Sequence, residues 1–202
     1  MVNLPWIPDY PIETDRLVLR PHRHGDLPDL MRYHSDPEVV RYIPWPVRDE
    51  EQTREALAKR VEQGRVLEPG QWLVLAVELP GRAGDPADPA HPSRVIGEVL
   101  LKYDSEEHGR GELGYAMAAD VGGRGYATEA ARAVLALAFD RFGLHRVVAE
   151  LDGRNTASAR LLERLGMRLE ARHVSATWFK GEWTDDLIYA ITEDEWRDRT
   201  RT

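Results

Sequence analysis

The sequence predicts an α/β fold: one mixed sheet of seven strands with helices on both faces. Short apolar or alternating runs recur between turn-forming residues, as strands do. Four longer segments have helix-forming composition with recognisable starts and stops. The two kinds interleave in the order β-α-α-β-β-β-α-β-α-β-β, which suits a sheet layered with helices. At 202 residues the chain is long enough for one sizeable core and short for two. One domain over residues 1–202 is therefore expected.

The first strand is read at residues 15–20, where DRLVLR alternates polar and apolar side chains before Pro21. Helices follow at 26–34 and 50–63, the second dense in good helix formers. QWLVLAV at 71–77 and RVIGEVLLK at 94–102 are strands. Between them, residues 80–93 (PGRAGDPADPAHPS) hold too much Pro, Gly and Asp to pack and are read as a flexible loop. A strand at 111–117 leads into a glycine-rich turn and a helix running to about residue 142, with Gly143 as its stop. HRVVAEL at 145–151 is a strand, 155–165 a short helix ended by Gly166, and 168–179 and 183–191 a final hairpin turning at Lys180-Gly181.

Composition narrows the function classes. Twenty-seven Lys+Arg against 35 Asp+Glu give a net charge of −8, which argues against a nucleic-acid or anionic-membrane partner and mildly favours a cationic one. No apolar run reaches the roughly 20 residues of a membrane span, and the N-terminus lacks a secretory pattern. There are no cysteines, so disulfides and thiolate chemistry are out, in keeping with a reducing cytoplasm. The seven histidines are scattered, and no metal is expected.

The segment VGGRGYATEA at 121–130 carries the chemistry. The first turn of a helix has unpaired N–H groups and a partial positive charge. A strand ending in a bare glycine turn and such a helix can therefore receive a phosphate. Gly122, Gly123 and Gly125 let the backbone approach an anion closely, and Arg124 offers a charge-assisted contact. A plain tight turn would use the same glycines, so both readings stay open on this segment alone. It is neither a Walker loop, since no Gly-Lys-Ser/Thr follows, nor a complete dinucleotide fingerprint.

GRGYATEAARAVLALAF at 123–139, followed by DGRNTASARLLERLGM at 152–167, resembles the acyl-CoA-binding core of the GNAT acetyltransferase superfamily. TDRLVLRP at 14–21, DPEVVRYIP at 36–44, GELGYAMA at 111–118 and KGEWTDDLIYAIT at 180–192 extend the likeness over nearly the whole chain. They point to the branch of ribosomal-protein N-terminal acetyltransferases (RimJ/RimL-like). The resemblance implies a mostly antiparallel seven-stranded sheet with one splayed pair of strands and about four flanking helices. It implies acetyl-CoA as co-substrate and an amine acceptor, either a protein N-terminus or a small molecule. Dimers are common among such proteins, so a homodimer is admitted.

Carried over by position, the pyrophosphate would lie on backbone N–H groups of Gly123, Arg124, Gly125, Tyr126 and Ala127, with Thr128 near the phosphates. Gly122 stands where the family usually has Gln or Arg. The strand would part from its neighbour after Met117, and backbone groups of Met117 and Ala119 would pair with the pantetheine arm. Asn155, a good N-cap in any case, would also reach that arm, and Ser158 would face the thioester sulfur. The tyrosine acid common in the superfamily is absent, since that position is Leu162. Thr177 occupies the place of a glutamate base in some relatives. Glu112 is therefore the first candidate for general base, with Glu98 and His173 behind it. Asp185 is open between a structural and a catalytic role. Trp45 and Trp72 are candidate acceptor-pocket walls, and Trp178 and Trp183 a substrate wall or a dimer contact. Loss of the usual acid and base leaves an alternative, a non-catalytic acyl-CoA-binding module.

Overall fold

A computed structural model describes residues 2, 4–81 and 93–200. Most of the expected loop at 80–93 lies outside the described residues. The sheet has eight strands, β1 (Ile12–Glu13), β2 (Val18–Pro21), β3 (Trp72–Leu79), β4 (Arg94–Ser105), β5 (Arg110–Met117), β6 (Arg146–Asp152), β7 (Arg168–Phe179) and β8 (Glu182–Thr192). Their order is β1-β2-β3-β4-β5-β6-β8-β7. Every neighbouring pair is antiparallel except β5 and β6. The helices are α1 (Leu27–His34), α2 (Pro37–Val40), α3 (Glu50–Val61), α4 (Tyr126–Ala136), α5 (Thr156–Leu165) and α6 (Glu193–Thr200).

The seven expected strands and four expected helices are all present. Those added are short or locally weak: the two-residue β1, the single-turn α2, and α6, whose highly charged sequence carries no apolar stripe to announce it. Tertiary contacts hold such elements, and local pattern does not reveal them.

Three helices, α2, α3 and α5, start at a residue whose side chain accepts from a free N–H of the first turn. Asp49 caps α3 by accepting from the Gln52 N–H at 2.9 Å, while the Gln52 side chain accepts from the Asp49 N–H. On α3, Thr53, Ala56, Leu57 and Arg60 are buried at helical spacing, so the stripe that faces the sheet includes one arginine. On α4 the buried stripe is Ala130, Ala131, Val134 and Leu135; its small side chains let the helix lie close. A π-helical turn, Leu137–Arg141, continues α4, and Gly143 (φ 71) follows just beyond it. The final hairpin turns through Lys180 (φ 49) and Gly181 (φ 96), two left-handed residues that match the twist of the strands they join.

The one parallel joint positions the site. β5 and β6 pair only at Arg110–Arg146, Gly111–Val147 and Glu112–Val148. Beyond that, β5 stays with β4 as far as Met117–Gly97, and β6 stays with β8 as far as Asp152–Asp186. The strands thus part after Glu112, five residues earlier than the sequence reading placed it. Each strand is held on its outer side, so the divergence of the two halves of the sheet falls on this short ladder.

Candidate active site

Two cavities meet at the opening between β5 and β6. One, of about 670 Å³, runs along the glycine turn and the start of α4. The other, of about 440 Å³, lies over β3, β4 and β5 and under residues 42–45. Tyr42, Ile43, Tyr115, Asn155 and Ser158 line both.

The larger cavity is an anion cradle in its geometry. Gly123 (φ 74) and Gly125 (φ 81) are left-handed, a conformation that costs little only without a Cβ. Gly125 is the N-cap of α4, so the N–H groups of its first turn have no partner within the helix. Gly122, Gly123, Gly125, Tyr126, Ala127 and Thr128 all line the cavity. Gly122 contributes the absence of a side chain and no donor, because its N–H bonds the Ala119 carbonyl at 3.1 Å. Two residues expected to contact the cofactor through their backbone do not line this cavity. Ala119 begins the 3-10 turn and does not line the cavity, and Arg124 is exposed outside the lining with its carbonyl accepting from Arg16.

The turn is stapled from the opposite end of the chain. Arg16 donates to the Arg124 carbonyl at 2.9 Å and to Glu129 at 2.7 Å, and its guanidinium lies 4.6 Å over the Tyr126 ring. Thr14 also donates to Glu129, at 2.6 Å. These partners hold the Glu129 carboxyl below its usual pKa against the effect of burial. Arg164, from α5, supplies a cationic side chain to the same cavity. Sequence reasoning missed Arg16, Glu129 and Arg164, since each acts across a long sequence separation.

At the junction, Asn155 accepts from the Ser158 N–H at 3.0 Å, the expected cap of α5. The Tyr115 hydroxyl donates to Ser158 Oγ at 3.0 Å. Burial pushes the Tyr115 phenol up to about 12. The Ala118 N–H bonds the Ile96 carbonyl at 2.8 Å. By the alternation of an antiparallel ladder, the Met117 N–H then points into the opening. Met117 lines the larger cavity.

Glu112 and Tyr115 are three residues apart on β5 and so face opposite sides of the sheet. Cross-strand register puts Trp72, Lys102 and Glu112 in one row and Val74, Leu100 and Gly114 in the next. All of these except Lys102 line the smaller cavity, together with Trp45, Arg60 and, from β6 across the opening, Glu150. Glu112 is half-buried, 4.0 Å from Lys102. Burial raises its pKa, Lys102 opposes that, and Glu150 adds to it.

The weaker base candidates are placed otherwise. Glu98 is fully buried and clamped by Arg60, whose Nη2 donates at 2.6 Å. Burial works to raise its pKa and Arg60 brings it below the usual value, so it is an ionised structural partner. Its row, Ala76–Glu98–Ala116, lies beyond the cavity floor. His173 is exposed on β7 and lines neither cavity. Thr177 donates to Asp186 at 2.6 Å, and Asp185 accepts from Arg172 at 2.6 Å and from the Ser175 N–H at 2.9 Å. All of these contacts stay within the last hairpin. Leu162 is a buried cavity wall. Trp178 and Trp183 form an edge-to-face pair at 5.5 Å, are 60% and 61% exposed, and line neither cavity. Among the described residues no group of three or more His, Asp or Glu side chains is arranged to hold a metal.

An acetyltransferase (GNAT) domain model matches residues 16–168. The chain is 30% identical over 185 residues to the uncharacterized N-acetyltransferase YnaD of Bacillus subtilis, covering 92% of this chain and 98% of that protein. It superposes on a GNAT-family acetyltransferase from Bacillus anthracis with a TM-score of 0.75 at 30% identity, covering 91% and 98% of the two chains. A structure of RimL, a ribosomal L7/L12 α-N-protein acetyltransferase in complex with coenzyme A, shares the fold with a TM-score of 0.73 at 18% identity, covering 90% of this chain and 97% of that one.

Proposed function

The chain belongs to the acetyltransferase (GNAT) domain family and is an N-acetyltransferase; from that premise we propose that it moves the acetyl group of acetyl-CoA directly to a primary amine. The observation that carries this reading is the meeting of two cavities at a splayed strand pair, one built around free helix amides and the other holding carboxylates. The pyrophosphate lies on the N–H groups of Gly123, Gly125, Tyr126 and Ala127. The pantetheine arm runs along the open edge of β5, as an added strand would. The thioester then reaches the junction at Tyr115, Asn155 and Ser158.

The acceptor enters from the smaller cavity as an aminium, attracted by Glu112 and Glu150. Glu112 takes the proton that must leave before nitrogen can attack. Nitrogen adds to the thioester carbonyl, the Met117 N–H receives the developing negative oxygen, and the C–S bond breaks with its electron pair on sulfur. Nitrogen's second proton balances the thiolate, so the products are an N-acetyl amine and coenzyme A thiol. A protein N-terminus and a small-molecule amine both meet these requirements. The exposed Trp178–Trp183 pair is free of the cavities and is our proposed homodimer contact, to be tested by light scattering on the chain and its Trp178→Ser variant. Absence of cysteine accords with a cytoplasmic protein.

The test is thiol release from acetyl-CoA across a panel of amines and N-terminal peptides. At least one acceptor is expected to release thiol and gain 42 Da, about the mass of an acetyl group replacing hydrogen. Stabilisation by coenzyme A without thiol release from any acceptor would instead favour a binding module. A second measurement addresses the cradle. Gly125→Val places a β-branched residue at φ 81, and coenzyme A binding by calorimetry is expected to weaken by roughly 10- to 100-fold. Gly122→Ala has an ordinary φ of −57 and a Cβ 3.2 Å from the Ala119 carbonyl oxygen, and binding within about threefold of the original is expected. Equal losses in the two variants would count against the phosphate cradle.

A further inference from the structure

Tyr115 stands at the junction of the two cavities and is not the tyrosine that the family pattern supplies, whose position here is Leu162. Its hydroxyl lies 3.0 Å from Ser158 Oγ and 3.4 Å from the Ser158 carbonyl oxygen. The serine is thus held at two points, its N–H on Asn155 at 3.0 Å and its Oγ on Tyr115. A serine hydroxyl has one hydrogen to give and rotates to suit its neighbours. When a neighbour donates to the oxygen, that hydrogen is turned elsewhere. Among the described residues none accepts a hydrogen bond from Ser158 Oγ, and both cavities open beside it.

We propose that Tyr115 is a positioning residue: by donating to Ser158 Oγ it turns the serine hydrogen into the junction, where it bonds the sulfur of the departing thiol. This rests on the acetyl-transfer reading above and adds to it a residue outside the family's acid position. The bond that breaks is C–S, its electron pair stays on sulfur, and the Ser158 O–H stabilises that charge. Tyr115 loses no proton. With its phenol pushed up to about 12 by burial, it remains a donor throughout the working range of pH. The arrangement divides labour: the phenol is too weak an acid to protonate the thiolate itself, but it orders the group that touches sulfur.

The experiment needs no acceptor. Coenzyme A bound to the purified chain is titrated by the ultraviolet absorbance of its thiolate, in the unaltered protein and in Tyr115→Phe, Ser158→Ala and the double variant. Hydrogen bonding to a charged form lowers its pKa. Removing either hydroxyl is expected to raise the midpoint of the bound thiol by about one pH unit. The double variant should match Ser158→Ala, because Tyr115 acts only through the serine. In turnover, Tyr115→Phe should lower kcat about tenfold and leave KM for acetyl-CoA unchanged. An unmoved midpoint in Tyr115→Phe, or shifts that add in the double variant, overturns the proposal while leaving the acetyl-transfer reading intact. Failure of the unaltered chain to bind coenzyme A overturns both.

Discussion

Replacing Glu112 by Gln is expected to lower kcat by roughly 10²- to 10⁴-fold, the usual worth of a positioned general base, with coenzyme A affinity unchanged. Gln keeps the shape and removes the proton acceptor. Glu112 suits the task because burial and Glu150 raise its pKa while Lys102 limits the rise, bringing it nearer the pH at which amines are acetylated. The base form exists above that pKa, so the acid limb of kcat/KM should lie above the ordinary carboxylate range of about 4.3 and disappear in the variant. Stability should move the other way. A carboxyl whose folded pKa is raised stabilises the fold fully below its unfolded pKa, and that contribution is lost as pH rises through the folded value. Gln, permanently neutral, should therefore leave Tm at neutral pH unchanged or slightly higher. Undiminished turnover in Glu112→Gln removes it as the base. Lost turnover with a lost fold, read by circular dichroism, would remove the argument from chemistry.

The second large effect lies beneath the acceptor cavity. Arg60→Met strands the Glu98 carboxylate in a fully buried position, and breaking one side of a buried ion pair costs about 3–5 kcal/mol. Removing both charges in Arg60→Met/Glu98→Leu should recover most of that loss. The same cluster sets the acid limit of the fold. His22 and His34 are buried around Glu98, and burial lowers each imidazole to about 4 against Glu98's opposing pull. Each is neutral when folded and has a pKa of 6.5 when unfolded, so the unfolded chain takes up protons first as pH falls. Stability is therefore lost between about pH 6.5 and about pH 4, by roughly 3 kcal/mol per histidine. Urea unfolding followed across that window checks it. A flat profile would show that these histidines are not neutral in the fold.

The cluster also shows why some of the site was hard to read. Glu98 looked like a spare carboxylate on a strand near the cofactor. Its partner Arg60 is 38 residues away, on a helix that the sequence marks only by its good helix formers. Only the packing of α3 against the sheet makes Glu98 a structural ion and leaves Glu112, two rows along the same face, at the cavity. Tyr115 escaped notice for a related reason. In GELGYAMA it reads as a strand aromatic, and nothing local says that its hydroxyl meets a serine 43 residues later.

What the sequence determined by itself was local and periodic. Alternating or apolar runs located the seven main strands, composition marked the helices with Asn155, Gly143 and Gly166 bounding two of them, and VGGRGYATEA declared a bare backbone at a helix start. Such signals survive because hydrogen-bond pattern, turn conformation and amphipathic spacing are properties of neighbouring residues. Tertiary structure decided where β5 and β6 part, which carboxylate faces a cavity and which is locked in a pair, and what holds the glycine turn in place. Those outcomes depend on register and on contacts across the sheet. A shift of one residue turns a strand's side chains to the other face without altering the local pattern that predicts the strand.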